Sequence, residues 1–215
     1  MHELCVRDLS LQLPNGKWLV QNLTFSVKPG QVLALMGPSG CGKSSLLSWL
    51  TGTIASNLCA SGEVWLGPRE LTCLPTEKRR LGLMLQQDYL FPHMSVGDNL
   101  RFGLRGGTRA ERDQRITQSL AEASLAGMEN RDPATLSGGQ RARVSLIRTL
   151  LSDPCALLLD EPFSGLDATL REQIRQFTWQ AAARLPVVLV THDQADIPAQ
   201  ADILNLGDAA VMRQA

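Results

Sequence analysis

The hydrophobic positions of the N-terminal segment alternate with polar ones. Leu9 and Leu11 follow this rule, and Leu23, Phe25 and Val27 resume it after a Pro-Asn-Gly turn. A period of two predicts half-buried strands joined by turns. We therefore expect the chain to begin with an antiparallel β subdomain.

Further along, apolar residues form continuous short runs at 32–36, 156–159 and 187–190. Such runs are typical of strands that are buried on both faces of a parallel sheet. Additional strands are predicted at 63–66 and 81–85. Helical patterns separate these strands, and strand-helix alternation predicts an α/β fold with a mostly parallel sheet flanked by helices.

The pattern becomes helical between residues 95 and about 131. Thr108 and Glu111 fit a capping box, and Ile116 and Leu120 follow at helical spacing. We therefore predict a single domain over 1–215, in which a helical subdomain, 95–152, is inserted into a core formed by 1–94 and 153–215. Other helices are predicted after Ser44, from Ser137 to about Ser152, near Asp167 and after Asp193.

Composition narrows the class of protein. The 215 residues carry 21 basic and 21 acidic side chains, so no charge bias indicates a nucleic-acid partner. Five cysteines without a Cys-x-x-Cys pair are expected to be reduced thiols. A membrane span needs about 20 apolar residues, and the longest apolar runs here are strand-sized. A membrane process would therefore require another polypeptide to supply the spans.

A complete phosphate-binding loop follows the strand at 32–36. Gly37, Gly42, Lys43 and Ser44 match the pattern Gly-x-x-x-x-Gly-Lys-Ser. Backbone N–H groups of such a loop surround phosphate oxygens. We expect Lys43 to reach the β- and γ-phosphates and the Ser44 hydroxyl to ligate Mg²⁺.

The apolar run at 156–159 ends in two carboxylates, Asp160 and Glu161, followed by Pro162. A buried strand that ends in this way aims acidic groups at the phosphate loop. We expect Asp160 to hold Mg²⁺ and Glu161 to polarise the attacking water. The alternative is an acidic pair that only faces solvent.

A second glycine-rich helix start consists of Leu136, Ser137, Gly138, Gly139 and Gln140. Ser137 can cap this helix, whose first N–H groups carry the positive end of the helix dipole and can bind phosphate. One phosphate loop already encloses the β-phosphate in a subunit. The second set of donors must therefore come from a distant part of the chain or from another copy.

In these motifs the whole chain resembles the ATP-binding cassette (ABC) ATPases, the subunits that power ABC transporters. The run 136–140 matches the family signature, and Ser164 to Asp167 resembles the D-loop that links two sites across a dimer. His192 is similar to the switch histidine, and Gln86, chosen over Gln87, resembles the glutamine that senses Mg²⁺ and water. The resemblance assigns phosphate binding to Gly37, Pro38, Ser39, Gly40, Cys41, Gly42, Lys43, Ser44 and Ser45. It assigns Mg²⁺ to Ser44, Gln86 and Asp160, catalysis to Glu161, His192 and Gln86, and the D-loop contact to Asp167.

The resemblance implies a P-loop NTPase core that hydrolyses ATP with Mg²⁺ as a dimer of two copies. It further implies separate transmembrane permease subunits, an indirect solute-binding protein and a peripheral position on the cytoplasmic face of the membrane. Residues 90–95 resemble the segment with which bacterial importers dock a permease. The sequence around 133–144 is most similar to the branch for thiamine, iron, polyamine, sulfate or molybdate. A soluble non-transport ABC ATPase and an exporter subunit are the alternatives.

The sequence departs from the family in three places. Where many members stack an aromatic side chain on adenine, this chain has Leu13 and Pro14, and the nearest aromatic is Trp18. Trp18 either reaches the base or packs within a β-hairpin. Gly165 stands where alanine is more usual in the D-loop. The chain ends soon after Met212, so a C-terminal regulatory domain is expected to be absent.

Overall fold

The structure, a computed structural model, describes residues 2–206. Its strands are β1 (Leu4–Gln12), β2 (Trp18–Val27), β3 (Val32–Met36), β4 (Cys59–Leu66), β5 (Arg69–Glu70), β6 (Leu81–Met84), β7 (Ala156–Asp160), β8 (Val187–Val190) and β9 (Asp202–Asn205). Its helices are α1 (Lys43–Thr51), α2 (Thr76–Arg79), α3 (Val96–Gly103), α4 (Arg109–Glu122), α5 (Gly138–Leu151) and α6 (Ala168–Ala181). Short 3₁₀ turns lie at Pro133–Thr135 and Gln194–Asp196.

Two sheets account for the nine strands of the described residues. The first is antiparallel in the order β2-β1-β4-β5, and the second has the order β6-β7-β8-β3-β9. In the second sheet β3 pairs in parallel with β8 and β9, and β7 pairs in parallel with β8. Its central strands are the predicted apolar runs, whose side chains are buried on both faces. The predicted fold class, a P-loop core with an antiparallel β subdomain and an inserted helical part, is confirmed.

The chain forms two compact units. The nucleotide-binding unit contains the described residues up to Leu83, then Cys155–Glu161 and residues 182–206. The helical unit contains Met84–Pro154 and Pro162–Ala181, so it also includes residues 84–94 and α6 beyond the predicted 95–152. Each unit has its own core of buried apolar side chains, with Leu35 and Leu46 in the first and Leu100 and Ile116 in the second.

Two predicted elements end differently in the structure. The helix expected after Asp193 is wrong, because only the 3₁₀ turn Gln194–Asp196 forms and Pro198 follows it. The chain then pairs as β9 with β3, at the edge of the parallel sheet. The strand expected at 81–85 stops at Met84. The expectation about Met212 lies outside the described residues.

A buried arginine that the sequence did not reveal holds the end of α1, the helix after the phosphate loop. Arg79 donates hydrogen bonds to the carbonyls of Trp49 (2.8 Å) and Leu50 (2.7 Å) at the end of this helix. It also donates to the carbonyls of Thr72 (2.7 Å) and Leu74 (2.9 Å). Burial lowers the pKa of the Arg79 guanidinium. Arg79 therefore caps α1 and ties it to the segment before α2.

Candidate nucleotide site

The phosphate loop lies between β3 and α1 in the nucleotide-binding unit. Its backbone takes positive φ at Gly37 (144°), Gly40 (80°) and Gly42 (104°). A Cβ atom at Gly42 would also come within 3.0 Å of the Leu19 Cβ atom. The loop therefore needs glycine at Gly42 for both its conformation and its packing on β2.

The loop surrounds the Lys43 ammonium group. Lys43 is buried, and its Nζ donates to the carbonyls of Gly37 at 2.7 Å and Pro38 at 2.9 Å. The Cys41 sulfur lies 3.9 Å from the same nitrogen. Gly42 is the N-cap of α1 and has no side chain to bond the first N–H groups of the helix. These donors and the ammonium together form a site suited to a phosphate.

Asp160 ends β7 with a half-buried carboxylate. Burial raises the pKa of this carboxyl, a hydrogen bond from the Ser44 hydroxyl lowers it, nearby Glu161 raises it, and nearby Lys43 lowers it. The net shift is upward, so the ionised carboxylate is held in a setting that favours a compensating positive charge. Ser44 and Asp160 thus supply two adjacent oxygen donors beside the phosphate loop.

Glu161 and His192 lie side by side in the same unit. The His192 Nδ1 atom is 3.2 Å from Glu161 Oε1. The Glu161 backbone has φ of 47° and donates its N–H to the Val190 carbonyl at 2.9 Å. The Glu161 backbone thus adopts a left-handed conformation that is uncommon for this residue type, and its carboxylate contacts the loop that carries His192.

The loop that carries His192 is fixed by a buried acid that the sequence reading missed. The Thr191 hydroxyl donates to Asp196 Oδ2 at 3.0 Å, and both side chains are buried. The Asp193 backbone N–H donates to the Thr191 hydroxyl oxygen at 3.1 Å. Asp196 therefore fixes the Thr191 hydroxyl, which in turn accepts from the backbone that follows His192. The helix expected after Asp193 concealed this role of Asp196.

The second glycine-rich helix start lies in the helical unit, and two reciprocal hydrogen bonds between Ser137 and Gln140 cap it. The Gln140 N–H donates to the Ser137 oxygen at 3.3 Å, and the Ser137 N–H donates to Gln140 Oε1 at 2.9 Å. Leu136 is buried and anchors the segment, whereas Ser137 and Gly138 are exposed. Because the Ser137 oxygen serves as an acceptor, its hydroxyl proton stays available to a ligand.

Two further predicted residues also lie in the helical unit. Gln86 donates its side-chain N–H to the Ser164 hydroxyl at 3.0 Å. Asp167 accepts the Leu170 N–H at 3.0 Å and so begins α6. The predicted site is therefore divided: the phosphate loop, Asp160, Glu161 and His192 belong to one unit, and Gln86, residues 136–140 and Asp167 to the other.

Trp18, the residue considered for adenine stacking, is the first residue of β2 and pairs with Gln12. Its side chain is 45% exposed. Its neighbour Leu19 packs against Gly42 of the phosphate loop. Stacking on adenine by Trp18 stays a prediction.

A row of polar side chains on α5 holds the segment after Gln86, and no local pattern in the sequence indicates these contacts. Arg141 binds Asp88 Oδ2 at 2.9 Å, and Ser145 donates to the Asp88 carbonyl at 3.1 Å. Arg148 donates to the carbonyls of Asp88 and Tyr89 at 3.2 and 3.0 Å. The spacing of these three residues places them on one face of the helix, where they fix a turn in which Tyr89 has φ of 42°.

Comparison with known proteins identifies the family. A family model described as ABC transporter matches residues 20–164, which include every predicted motif except His192 and Asp167. The chain belongs to the ABC transporter family. The uncharacterized ABC transporter ATP-binding protein YnjD of Escherichia coli (strain K12) is 46% identical over 206 residues, covering 94% of each chain.

Two import proteins are also similar to this ABC transporter chain. An Fe(3+) ions import ATP-binding protein, FbpC of Agrobacterium fabrum, is 41% identical over 187 residues, covering 85% of this chain and 52% of that protein. The maltose/maltodextrin import ATP-binding protein MalK of Mannheimia succiniciproducens is 39% identical over 197 residues, covering 88% and 52%. The chain thus spans about half the length of these import relatives.

These matches confirm that the chain is an ATP-binding and ATP-hydrolysing subunit that energises an ABC transporter. Within residues 2–206, no helix combines the length and apolar character that crossing a bilayer requires. All five cysteines, which lie within the described residues, are free.

Proposed function

We propose that two copies of this chain close on two ATP molecules and drive solute import through separate permease subunits. One observation carries the proposal: the chain holds two phosphate-type helix starts, at Gly42 and Ser137, in two different compact units. Each ATP lies between residues 37–45 of one copy and residues 136–140 of the other. Hydrolysis removes the γ-phosphate that both copies bind, and the dimer opens.

Within each composite site the side chains divide the work. Lys43 and the loop N–H groups neutralise the phosphates. Glu161 accepts the proton of the attacking water, and His192, 3.2 Å from it, contacts the γ-phosphate. Gln86 orients the attacking water and would contact the metal, and Asp167 contacts the other copy. Catalysis by such groups is mainly positioning and charge stabilisation.

Mg²⁺ fits the residues present beside the phosphate loop. The hydrogen-bonded Ser44 hydroxyl and the desolvated Asp160 carboxylate supply oxygen donors of the kind that Mg²⁺ prefers. Two protein oxygens would suffice, because Mg²⁺ usually keeps several waters and binds substrate phosphates. Ser44 and Asp160 would hold the ion, with Gln86 as a further ligand, and the ion would neutralise phosphate charge during hydrolysis.

An exposed aromatic surface of the helical unit suits the permease. We define the docking surface by Tyr89, Phe91, His93 and Phe102. Phe102 and Tyr89 are 66% and 59% exposed. The Phe91 and Phe102 rings meet edge-on with centroids 4.9 Å apart, and the Arg148 guanidinium lies 5.5 Å from the Phe91 ring centre. Clustered exposed aromatics mark an interaction site, and two members of this surface, Phe91 and His93, lie in the segment 90–95 that resembles importer docking regions.

The docking surface can be tested by removing two exposed rings at once. We expect the double variant Tyr89→Ala with Phe102→Ala to lose most of the membrane protein that co-purifies with the tagged chain, because both side chains are free to be buried by a partner. Ile203→Ala is the matched control, since it removes an apolar side chain that is 49% exposed in the nucleotide-binding unit. Thermal unfolding of both variants checks that they fold.

The same purification tests the transport role. The proposal predicts that the wild-type chain is recovered with a multi-span membrane protein at the cytoplasmic face of the membrane. Recovery with ribosomes or DNA in its place would favour a soluble, non-transport ABC ATPase. Equal recovery of the membrane protein with the double variant would place the docking surface elsewhere. An exporter subunit would be indicated if the co-purified permease uses ATP to pump a dye into inside-out membrane vesicles.

A further inference from the structure

The second glycine of the signature, Gly139, is covered by a leucine of α6. A Cβ atom at this position would lie 2.3 Å from Leu170 Cδ2, 2.5 Å from Cδ1 and 2.6 Å from Cγ. Carbon atoms in favourable contact lie about 3.5–4.0 Å apart. Position 139 therefore has no room for a methyl group while Leu170 keeps its rotamer. At Gly138 the nearest atom to such a Cβ is Arg141 Nη2, at 4.0 Å.

The leucine that covers Gly139 is also bound to the D-loop aspartate. The Leu170 N–H donates to Asp167 Oδ1 at 3.0 Å, and the Arg171 N–H donates to the Asp167 carbonyl at 2.9 Å. Asp167 therefore caps the turn of α6 that presents Leu170. On the other side, Gly139 is the second residue of α5, whose first turn is the capped signature. Leu170 thus touches one segment with its side chain and the other with its backbone.

We infer that Leu170 is a positioning residue that locks the signature to the D-loop aspartate, so that a copy presents both segments to its partner as one rigid piece. This inference rests on the proposed ATP-closed dimer. The requirement for glycine at 139 then comes from packing inside the helical unit. The competing explanation is that Gly139 lacks a side chain so that a phosphate can approach its backbone.

The two explanations differ in whether a second substitution, Leu170→Ala, can rescue a substitution at Gly139. If packing is responsible, Gly139→Ala prevents the α5–α6 contact and Leu170→Ala relieves the clash, because it removes all three of the close carbon atoms. If phosphate approach is responsible, the methyl group at 139 obstructs the nucleotide whatever residue stands at 170. The rescue therefore separates the packing role from the ligand role.

The experiment combines these variants in full-length chains that also carry Glu161→Gln, and measures ATP-dependent dimerisation by light scattering. We expect Gly139→Ala to weaken dimerisation about tenfold, as overpacking of a fitted contact does. The double variant with Leu170→Ala should return to within about threefold of Leu170→Ala alone. Thr169→Ala, an exposed neighbour in α6, should give no rescue. Urea midpoints measured in parallel should show the same rescue, and Gly138→Ala should leave the midpoint unchanged.

Three results would overturn the inference. Gly139→Ala could dimerise like the parent chain, Leu170→Ala could fail to rescue it, or the rescue could appear in the urea midpoint without any effect on dimerisation. If the parent chain itself does not dimerise with ATP, the proposed function fails. In that case the urea midpoints alone still decide whether Leu170 packs on Gly139, so the two failures are distinguishable.

Discussion

Glu161→Gln is expected to stop ATP hydrolysis and to leave a stable, ATP-bound dimer. The amide keeps the size of the side chain and its neighbour His192, 3.2 Å away, but it cannot accept the proton of the attacking water. Loss of a general base typically lowers the rate by about 10²–10⁴-fold. Phosphate release measures the loss, and light scattering with ATP measures the dimer.

Two variants control this experiment. Lys43→Ala removes the buried ammonium group that the phosphate loop surrounds, so we expect it to abolish nucleotide binding and to stay monomeric. Glu70→Gln changes an exposed carboxylate on β5 and should behave as wild type. Hydrolysis at the wild-type rate by Glu161→Gln would show that Glu161 is not the base.

Arg79→Ala is expected to cause the largest loss of stability in the nucleotide-binding unit. It removes the donors that satisfy four carbonyls, those of Trp49, Leu50, Thr72 and Leu74, while those groups stay in place. A buried polar group left without a partner costs about 1–3 kcal/mol. We expect a total loss of about 3 kcal/mol for the four carbonyls, because water can enter part of the space left by the Arg79 side chain. Urea unfolding followed by circular dichroism measures the change.

The planar guanidinium of Arg79 presents several N–H donors in fixed directions, which is why it can bind four carbonyls at once. Arg79→Lys keeps the charge but not the planar set of five donors, so it should recover only part of the stability. Lys78→Ala removes the exposed neighbouring side chain and should change the free energy of unfolding by less than about 0.5 kcal/mol. A loss for Arg79→Ala no larger than that for Lys78→Ala would contradict the capping role of Arg79.

The features that could be predicted from the sequence are those encoded by neighbouring residues. The apolar runs at 156–159 and 187–190 required burial on both faces, and the parallel sheet places them at its centre. The capping box of Thr108 with Glu111 forms as its spacing indicates, and Ser137 caps α5 as expected. Local encoding also made the phosphate loop recognisable, because its function depends on consecutive backbone groups.

The features that could not be predicted depend on residues far apart in the chain. Arg79 binds carbonyls 29 and 30 residues before it, and no pattern around Arg79 marks those partners. Leu170 reaches Gly139 from another helix in the same way. Strand β9 has only Ile203 and Leu204 as apolar residues, so its pairing with β3 was not apparent. The catalytic roles of Gln86, Glu161 and His192 stay predictions, since they concern a bound nucleotide.

Mixing two damaged chains shows whether each ATP is shared between two copies. Lys43→Ala damages the phosphate loop, and Gly138→Asp adds a carboxylate facing the γ-phosphate. Gly138→Asp should fold, because the position is open and an acidic residue suits the first turn of a helix. Both chains also carry Glu161→Gln, and each carries a different tag.

A mixed pair contains one undamaged composite site, whereas a pair of identical variants contains none. The measurement is the recovery of one tag through the other, with and without ATP. If each ATP is shared, ATP joins Lys43→Ala to Gly138→Asp and joins neither variant to itself. If ATP instead joins each variant to itself as well as it joins the mixed pair, or joins no pair although the parent chain dimerises, the shared site is contradicted.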